Sequence, residues 1–131
     1  MTLGVGLRLV YALCLLAATC NHALILLRHG LFWNDSSAPV GSSIFWTSLT
    51  LLDPIAAILL FVRPNAGVTL TAAIILADVA HNWWFLKRFA AGGAYAASIF
   101  GNPNLICQIA FLLFVGGTMR WAGISSPRRP N

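Results

Sequence analysis

The chain has 131 residues, of which 59% are hydrophobic and 8% are charged, and its mean hydropathy is +0.81. A soluble domain carries roughly 25% charged residues, so this composition excludes the soluble class and indicates an integral membrane protein. The net charge of +5 comes from basic residues that flank apolar segments, unlike the one-sided basic surface of a nucleic-acid-binding domain. We therefore expect no nucleic-acid partner.

Four apolar segments are long enough to cross a bilayer as helices. The predicted spans are residues 7–27, 44–62, 66–86 and 105–121. The first is expected to be a retained span, because cleavage after its small residues would leave the apolar stretch 23–27 outside the membrane. The fold class is therefore all-α, an integral membrane four-helix bundle formed by one transmembrane domain over residues 1–131.

The segments between the spans differ in character. A polar loop is expected over 28–43, and a tight turn at Arg63–Asn65, because the residue before a proline disfavours the helical conformation. Residues 89–104 are rich in glycine and alanine and are predicted to lie in the interface or to re-enter the protein. Residues 122–131 are predicted to be a disordered tail.

Basic residues indicate the orientation. With four spans, two sets of basic residues fall on opposite sides of the membrane. One side has Arg8, Arg63, Arg120, Arg128 and Arg129, and the other has Arg28, Lys87 and Arg88. The positive-inside rule then places both termini in the cytoplasm, and we expect the protein in the bacterial inner membrane.

The third span contains three polar side chains, Asp78, His81 and Asn82, at positions i, i+3 and i+4. On a helix, residues at this spacing share one side. An aspartate within a span costs roughly 2.5–3.5 kcal/mol on insertion scales, so a partner or a function is expected for it.

Polar residues in the other spans lie at a similar depth. Asp53, followed by Pro54, is at the centre of the second span, and the remaining groups lie roughly 5–9 Å toward the outer face. We therefore predict one polar pocket among the four helices. Its candidate ligand-binding residues are Asn21, His22, Thr50, Asp53, Asp78, His81, Asn82, Trp84 and Gln108.

Two carboxylates at one depth repel each other when both are ionised, so they are expected to share a proton, a cation or a cationic ligand. The candidates for any catalytic role are Asp53, Asp78, His81 and His22. The same four residues are the candidates for a metal site. That site is disfavoured because only one carboxylate-x-x-His pair occurs, where bundle metal sites use two. We expect no metal and no other cofactor.

This layout, with His22 in the first span and Asp53 in the second, resembles the EXPERA family of the emopamil-binding protein and sigma-two receptor type. The stretch Leu76-Ala77-Asp78-Val79 is similar to a third-helix stretch of that family that contains Gly-Asp-Val. The resemblance implies a sterol or amphiphilic-amine pocket among the helices. A second resemblance is to small bacterial four-helix proteins of the DoxX type.

Two departures from the EXPERA pattern bear on activity. Leu26 stands where the isomerases have an acid four residues after the first-helix histidine, and the last-helix Asn-x-x-Trp is absent, with Gln108 as the polar group nearby. The expected function is therefore binding of a lipid-like or cationic amphiphilic molecule, with isomerisation or movement of that molecule left open. The alternatives are a proton- or ion-coupled transporter that uses Asp53 and Asp78, and a structural subunit of a larger complex. A homo-oligomer is compatible with each.

Overall fold

The computed structural model describes residues 2–31, 39–89 and 101–123, and no residue within these ranges lies in a β-strand. The described residues form four helices: α1 (Leu3–His29), α2 (Val40–Val62), α3 (Pro64–Phe89) and α4 (Pro103–Gly123). Each of them is long and apolar enough to cross a membrane. For the described ranges, the prediction of an all-helical fold with four such helices is confirmed.

The helices are longer than the predicted spans, and capping residues define both ends of α1 and the start of α4. Thr2 caps α1, where its hydroxyl accepts a hydrogen bond from the Val5 amide at 3.4 Å. Gly30 ends α1 at φ 83°, a left-handed conformation that glycine adopts without steric cost. The side chain of Asn102 accepts a bond from the Leu105 amide at 3.1 Å and so caps α4.

A single residue, Arg63, separates α2 from α3, as the proline at position 64 predicts. The two helices lie in close contact near this turn, at Gly67. A side chain at Gly67 would collide with the backbone of Leu59 and Leu60, so only glycine permits this approach. The helix α2 itself continues through Pro54 to its end.

The four helices pack in chain order, α1 on α2, α2 on α3, α3 on α4, and α4 back on α1. We call the end where α1 begins and α4 ends the terminal end, and the opposite end the long-loop end. An apolar core fills most of the terminal half. Its buried residues are Tyr11, Ala12, Leu15, Leu49, Ala56, Ala57, Leu60, Val68, Ile74, Val115 and Ala122.

Arg8 lies within α1 and is only 8% exposed, although its charge predicted a position at the flank of the span. Its Nε donates to the Gly4 carbonyl at 3.1 Å and its Nη1 to the Leu60 carbonyl at 3.3 Å. Leu60 belongs to the last turn of α2, whose carbonyls lack partners within the helix. The cation therefore stabilises the negative end of the α2 dipole.

Two sequence predictions fall largely outside the described residues. The glycine- and alanine-rich segment lies mainly at 90–100, and the predicted tail lies mainly at 124–131. Ala122 and Gly123, which were assigned to the tail, belong to the last turn of α4. The helix continues here because Ala122 is fully buried against the apolar core.

Candidate functional site

A cavity of about 350 Å³ lies among the four helices, on the long-loop side of the apolar core, and every helix contributes to its wall. The α1 and α2 residues of the wall are Cys14, Leu15, Ala17, Ala18, Asn21, His22 and Asp53. The α3 and α4 residues are Ile74, Ile75, Asp78, Asn104, Cys107, Gln108 and Phe111. The cavity thus combines apolar walls with two carboxyl groups, an imidazole and three amides.

Asp53 is the most deeply buried polar residue of the cavity, since the residue as a whole is 1% exposed. Its Oδ2 atom has no hydrogen-bond partner within the described ranges. The nearest cationic candidate is His22, whose Nε2 lies 3.9 Å from Oδ2, beyond the usual 2.7–3.2 Å of a hydrogen bond. The Nδ1 atom of His22 is also buried without a partner. The α1–α2 side of the cavity therefore has unused hydrogen-bonding capacity.

On the opposite side, Asn82 connects three helices. Its Nδ2 donates to the Asp78 carboxylate at 2.8 Å and to the Gln108 Oε1 atom at 3.1 Å. Its Oδ1 accepts from the Trp46 indole at 3.2 Å. Gln108 accepts this bond through its oxygen, so its NH₂ group remains available as a donor to the cavity.

A second cavity, of about 200 Å³, adjoins the first toward the long-loop end. The two share Asn21, His22, Asn104 and Gln108. The second cavity is further lined by Ile25, Trp46, Asn82, Asn102 and Leu105. Its polar groups are mostly neutral amides, whereas both aspartates belong to the first cavity.

The structure brings six of the nine predicted site residues together. Five line the first cavity and one, Asn82, lines the second; the five are Asn21, His22, Asp53, Asp78 and Gln108. Thr50, His81 and Trp84 line neither of the two cavities. Thr50 is half-buried in α2 and its hydroxyl oxygen has no partner in the described structure.

His81 lies away from the cavity because of its angle around α3. At about 100° per residue, positions i+3 and i+4 fall on opposite sides of position i. Asn82 accordingly points to α4, and His81 packs on α2 instead. The His81 ring lies 4.4 Å from the Phe45 ring centroid, 5.4 Å from that of Trp46 and 5.6 Å from that of Trp84. His81 and Trp84 thus belong to an aromatic cluster between α2 and α3.

Several residues of the cavity wall were not among the predicted site residues. Asn104 lies four residues before Gln108, and Ala18 lies four before His22, so each shares a helix face with a recognised polar residue. That spacing is a usable signal. Cys14 and Cys107 carry little polarity, and nothing in the pattern distinguishes them from cysteines that face lipid.

The arrangement brings together side chains that can accept or release protons. In the part of the chain that the structure describes, no group of three or more His, Cys, Asp or Glu side chains is placed to hold a metal ion. Asp53, Asp78 and His22 share the cavity and can take or release protons.

Comparison of the chain with protein-family models, with curated proteins and with solved structures finds no match.

Proposed function

We propose that the protein is an integral membrane protein that binds a cationic amphiphile in the cavity between its helices. The observation that supports this proposal is Asp53, a carboxyl that faces the cavity with one oxygen buried and unpartnered. A buried polar atom without a partner costs about 1–3 kcal/mol, and more when it is charged. A ligand with a positively charged N–H group would supply the missing donor.

Asp78 adds to the negative potential of the same cavity. One of its oxygens accepts from Asn82, so the side chain is held in place by a neutral donor and no cation neutralises it within the described residues. Two carboxyl groups beside one cavity favour a cationic ligand over a neutral or anionic one. In this proposal the imidazole of His22 takes up or releases a proton when the ligand approaches Asp53.

The rest of the wall suits an apolar ligand body. Leu15, Ile74, Ile75 and Phe111 line the same cavity as the carboxyl groups. Pockets of about 300–1,000 Å³ with mostly apolar walls and a few polar groups are typical of small-molecule sites. The resemblance to EXPERA proteins suggests the same ligand class, with binding rather than isomerase chemistry.

The proposed location is the bacterial inner membrane, with both termini in the cytoplasm. Four helices of spanning length support the membrane location. The basic residues support the orientation, since five of them belong to the terminal side and three to the long-loop side. The cavity would then lie nearer to the outer leaflet.

The test is a thermal-stability screen of the purified protein with cationic amphiphiles, sterols and divalent metal ions. A ligand at a concentration of 100 Kd stabilises the native state by about 2.7 kcal/mol, which gives a measurable rise in Tm. We expect a cationic amphiphile to raise the Tm of the wild type, and Asp53→Asn or Asp78→Asn to abolish that rise.

Thr71→Val is the matched control, because Thr71 is fully buried in α3 but bonds only its own helix, at the Gly67 carbonyl. This variant should keep the ligand-dependent rise. An undiminished rise in both aspartate variants would sink the proposal. If no compound changes the Tm and the aspartate variants melt like the wild type, the polar groups serve helix packing instead.

A further inference from the structure

The wall of the larger cavity is closed on one side and open on the other. Its α2 and α3 residues, Asp53, Ile74, Ile75 and Asp78, are all buried. Every lining residue that is exposed belongs to α1 or α4. These residues are Ala17, Asn21, Asn104 and Cys107. The cavity therefore opens sideways, through the seam between α1 and α4.

Small side chains leave this seam open. Cys14, Ala17 and Ala18 on α1 face Cys107 on α4 across the cavity mouth, and α1 and α4 are the most sparsely packed pair of neighbouring helices. If the helices span a membrane, the opening faces acyl chains rather than water.

The seam is closed toward the terminal end by Tyr11. Its hydroxyl lies 2.6 Å from the Thr118 hydroxyl, and its ring makes edge contacts with Phe111 and Phe114 at 5.9 Å and 5.7 Å between centroids. These contacts hold α1 against α4 on the terminal side of the opening. Beyond them, the small side chains at the cavity mouth leave a gap between the helices through which a methylene chain can extend.

From this geometry we propose that the ligand is a single-chain amine, with its ammonium group at Asp53 and Asp78 and its chain leaving between Ala17 and Cys107 into lipid. This inference rests on the proposed function and names the ligand class. The cavity of about 350 Å³ lies at the low end of the range for small-molecule sites. It holds the head and the first part of the chain, and the remainder stays in the bilayer.

The proposal has a specific consequence for chain length. A methylene group that extends beyond the seam is surrounded by lipid both before and after binding, so it adds almost nothing to the binding free energy. A methylene group transferred from water into an apolar site would add about 0.8 kcal/mol. The affinity of the protein for the amine, expressed as the mole fraction of amine in the membrane at half-saturation, should therefore reach a constant value as the chain lengthens. In a closed cavity, affinity would fall once the chain outgrew the space.

The experiment uses the native cysteines as reporters in the full-length protein, reconstituted in phosphatidylcholine nanodiscs. Octylamine, dodecylamine and hexadecylamine are the probes, and alkylation by N-ethylmaleimide is followed by mass spectrometry. Cys14 and Cys107 line the cavity and should be protected. Cys20 is exposed on α1 outside both cavities and is the internal control. All three amines should protect Cys14 and Cys107 from alkylation at similar mole fractions in the membrane.

Ala17→Phe should narrow the mouth of the cavity and weaken protection by hexadecylamine about tenfold, which corresponds to ~1.4 kcal/mol. Octylamine should still protect this variant, which also shows that the variant folds. The matched control is Ala77→Phe, because Ala77 is exposed on α3 and lines neither cavity. It should behave like the wild type with all three amines.

The outcomes separate this inference from the proposed function. If octylamine protects and hexadecylamine does not protect the wild type, the ligand is enclosed, so the seam proposal fails and the binding proposal stands. The same holds if Ala17→Phe leaves hexadecylamine protection unchanged. If no amine protects either cysteine, the single-chain proposal fails, and the thermal-stability screen with the other cationic amphiphiles then decides the binding proposal.

Discussion

Asn82 donates a hydrogen bond to the carboxylate of Asp78, one turn earlier in α3, at 2.8 Å. The same amide group bonds Trp46 on α2 and Gln108 on α4, so one side chain ties three of the four helices together. It also determines which way Asp78 and Gln108 present their remaining polar atoms to the cavity. Asn82 therefore has a structural role in helix packing, which is independent of any role in ligand binding.

Asn82→Ala should lower the free energy of unfolding by about 2 kcal/mol, since each of three bonds between buried helical groups contributes roughly 0.6 kcal/mol. Unfolding in mixed micelles of a mild detergent and dodecyl sulfate measures this loss. Asn21→Ala is the control, because Asn21 lines the second cavity as Asn82 does but is exposed and has no hydrogen bond within the described residues. Its effect should stay below about 0.5 kcal/mol. Equal losses in the two variants would contradict the role of Asn82.

Gly67→Ala should destabilise the protein by about 2–4 kcal/mol, because the added methyl group would meet the α2 backbone and force α2 and α3 apart. Thermal unfolding in detergent measures the effect. Gly117→Ala is the matched control within α4, where an added Cβ meets nothing within 4 Å. That change should be neutral or stabilise by up to about 1 kcal/mol, since alanine favours the helix. A similar loss at both positions would show that the α2–α3 approach is not the cause.

The four helices and the shared depth of the polar groups follow from sequence because both depend on position along a helix. Charged and amide side chains within long apolar runs are conspicuous, and their depth follows from the rise per residue. That depth was enough to place Asp53, Asn82 and Gln108 in one polar layer, whereas the hydrogen bond between Asn82 and Gln108 was found only in the structure.

Direction around the helix axis was harder to predict. Spacing placed His81 with Asp78 and Asn82, yet a difference of one residue turns a side chain by about 100° and sends it to another neighbour. The aromatic cluster that receives His81 depends on how α2 packs against α3. The open seam depends on small side chains, which look the same in sequence whether they face a cavity, a helix or lipid.

His81→Phe should leave ligand binding intact, because His81 lines neither cavity and packs among aromatic rings. The change also removes the buried Nε2 atom, which has no partner in the described structure, so stability should be equal or higher by up to about 1 kcal/mol. His22→Leu is the comparison, since His22 lies on the cavity wall beside Asp53. It should reduce the ligand-dependent rise in Tm. Loss of that rise in His81→Phe would place His81 in the site after all.

The Tyr11 hydroxyl closes the seam through two contacts with α4. It lies 2.6 Å from the Thr118 hydroxyl, where either oxygen can be the donor, and it donates to the Val115 carbonyl at 3.4 Å. Tyr11→Phe removes this hydroxyl while it keeps the ring contacts with Phe111 and Phe114. The expected loss in the free energy of unfolding is therefore small, about 0.5–1.5 kcal/mol.

A double-mutant cycle of Tyr11→Phe with Thr118→Val should assign most of this loss to the pair. Ser48→Ala is the control, because the Ser48 hydroxyl bonds only the Phe45 carbonyl of its own helix, and the change should cost little. Tyr11→Ala, which also removes the ring, should cost about 3–5 kcal/mol and speed alkylation of Cys14 by widening the seam. Unchanged alkylation of Cys14 in that variant would mean that Tyr11 does not bound the opening.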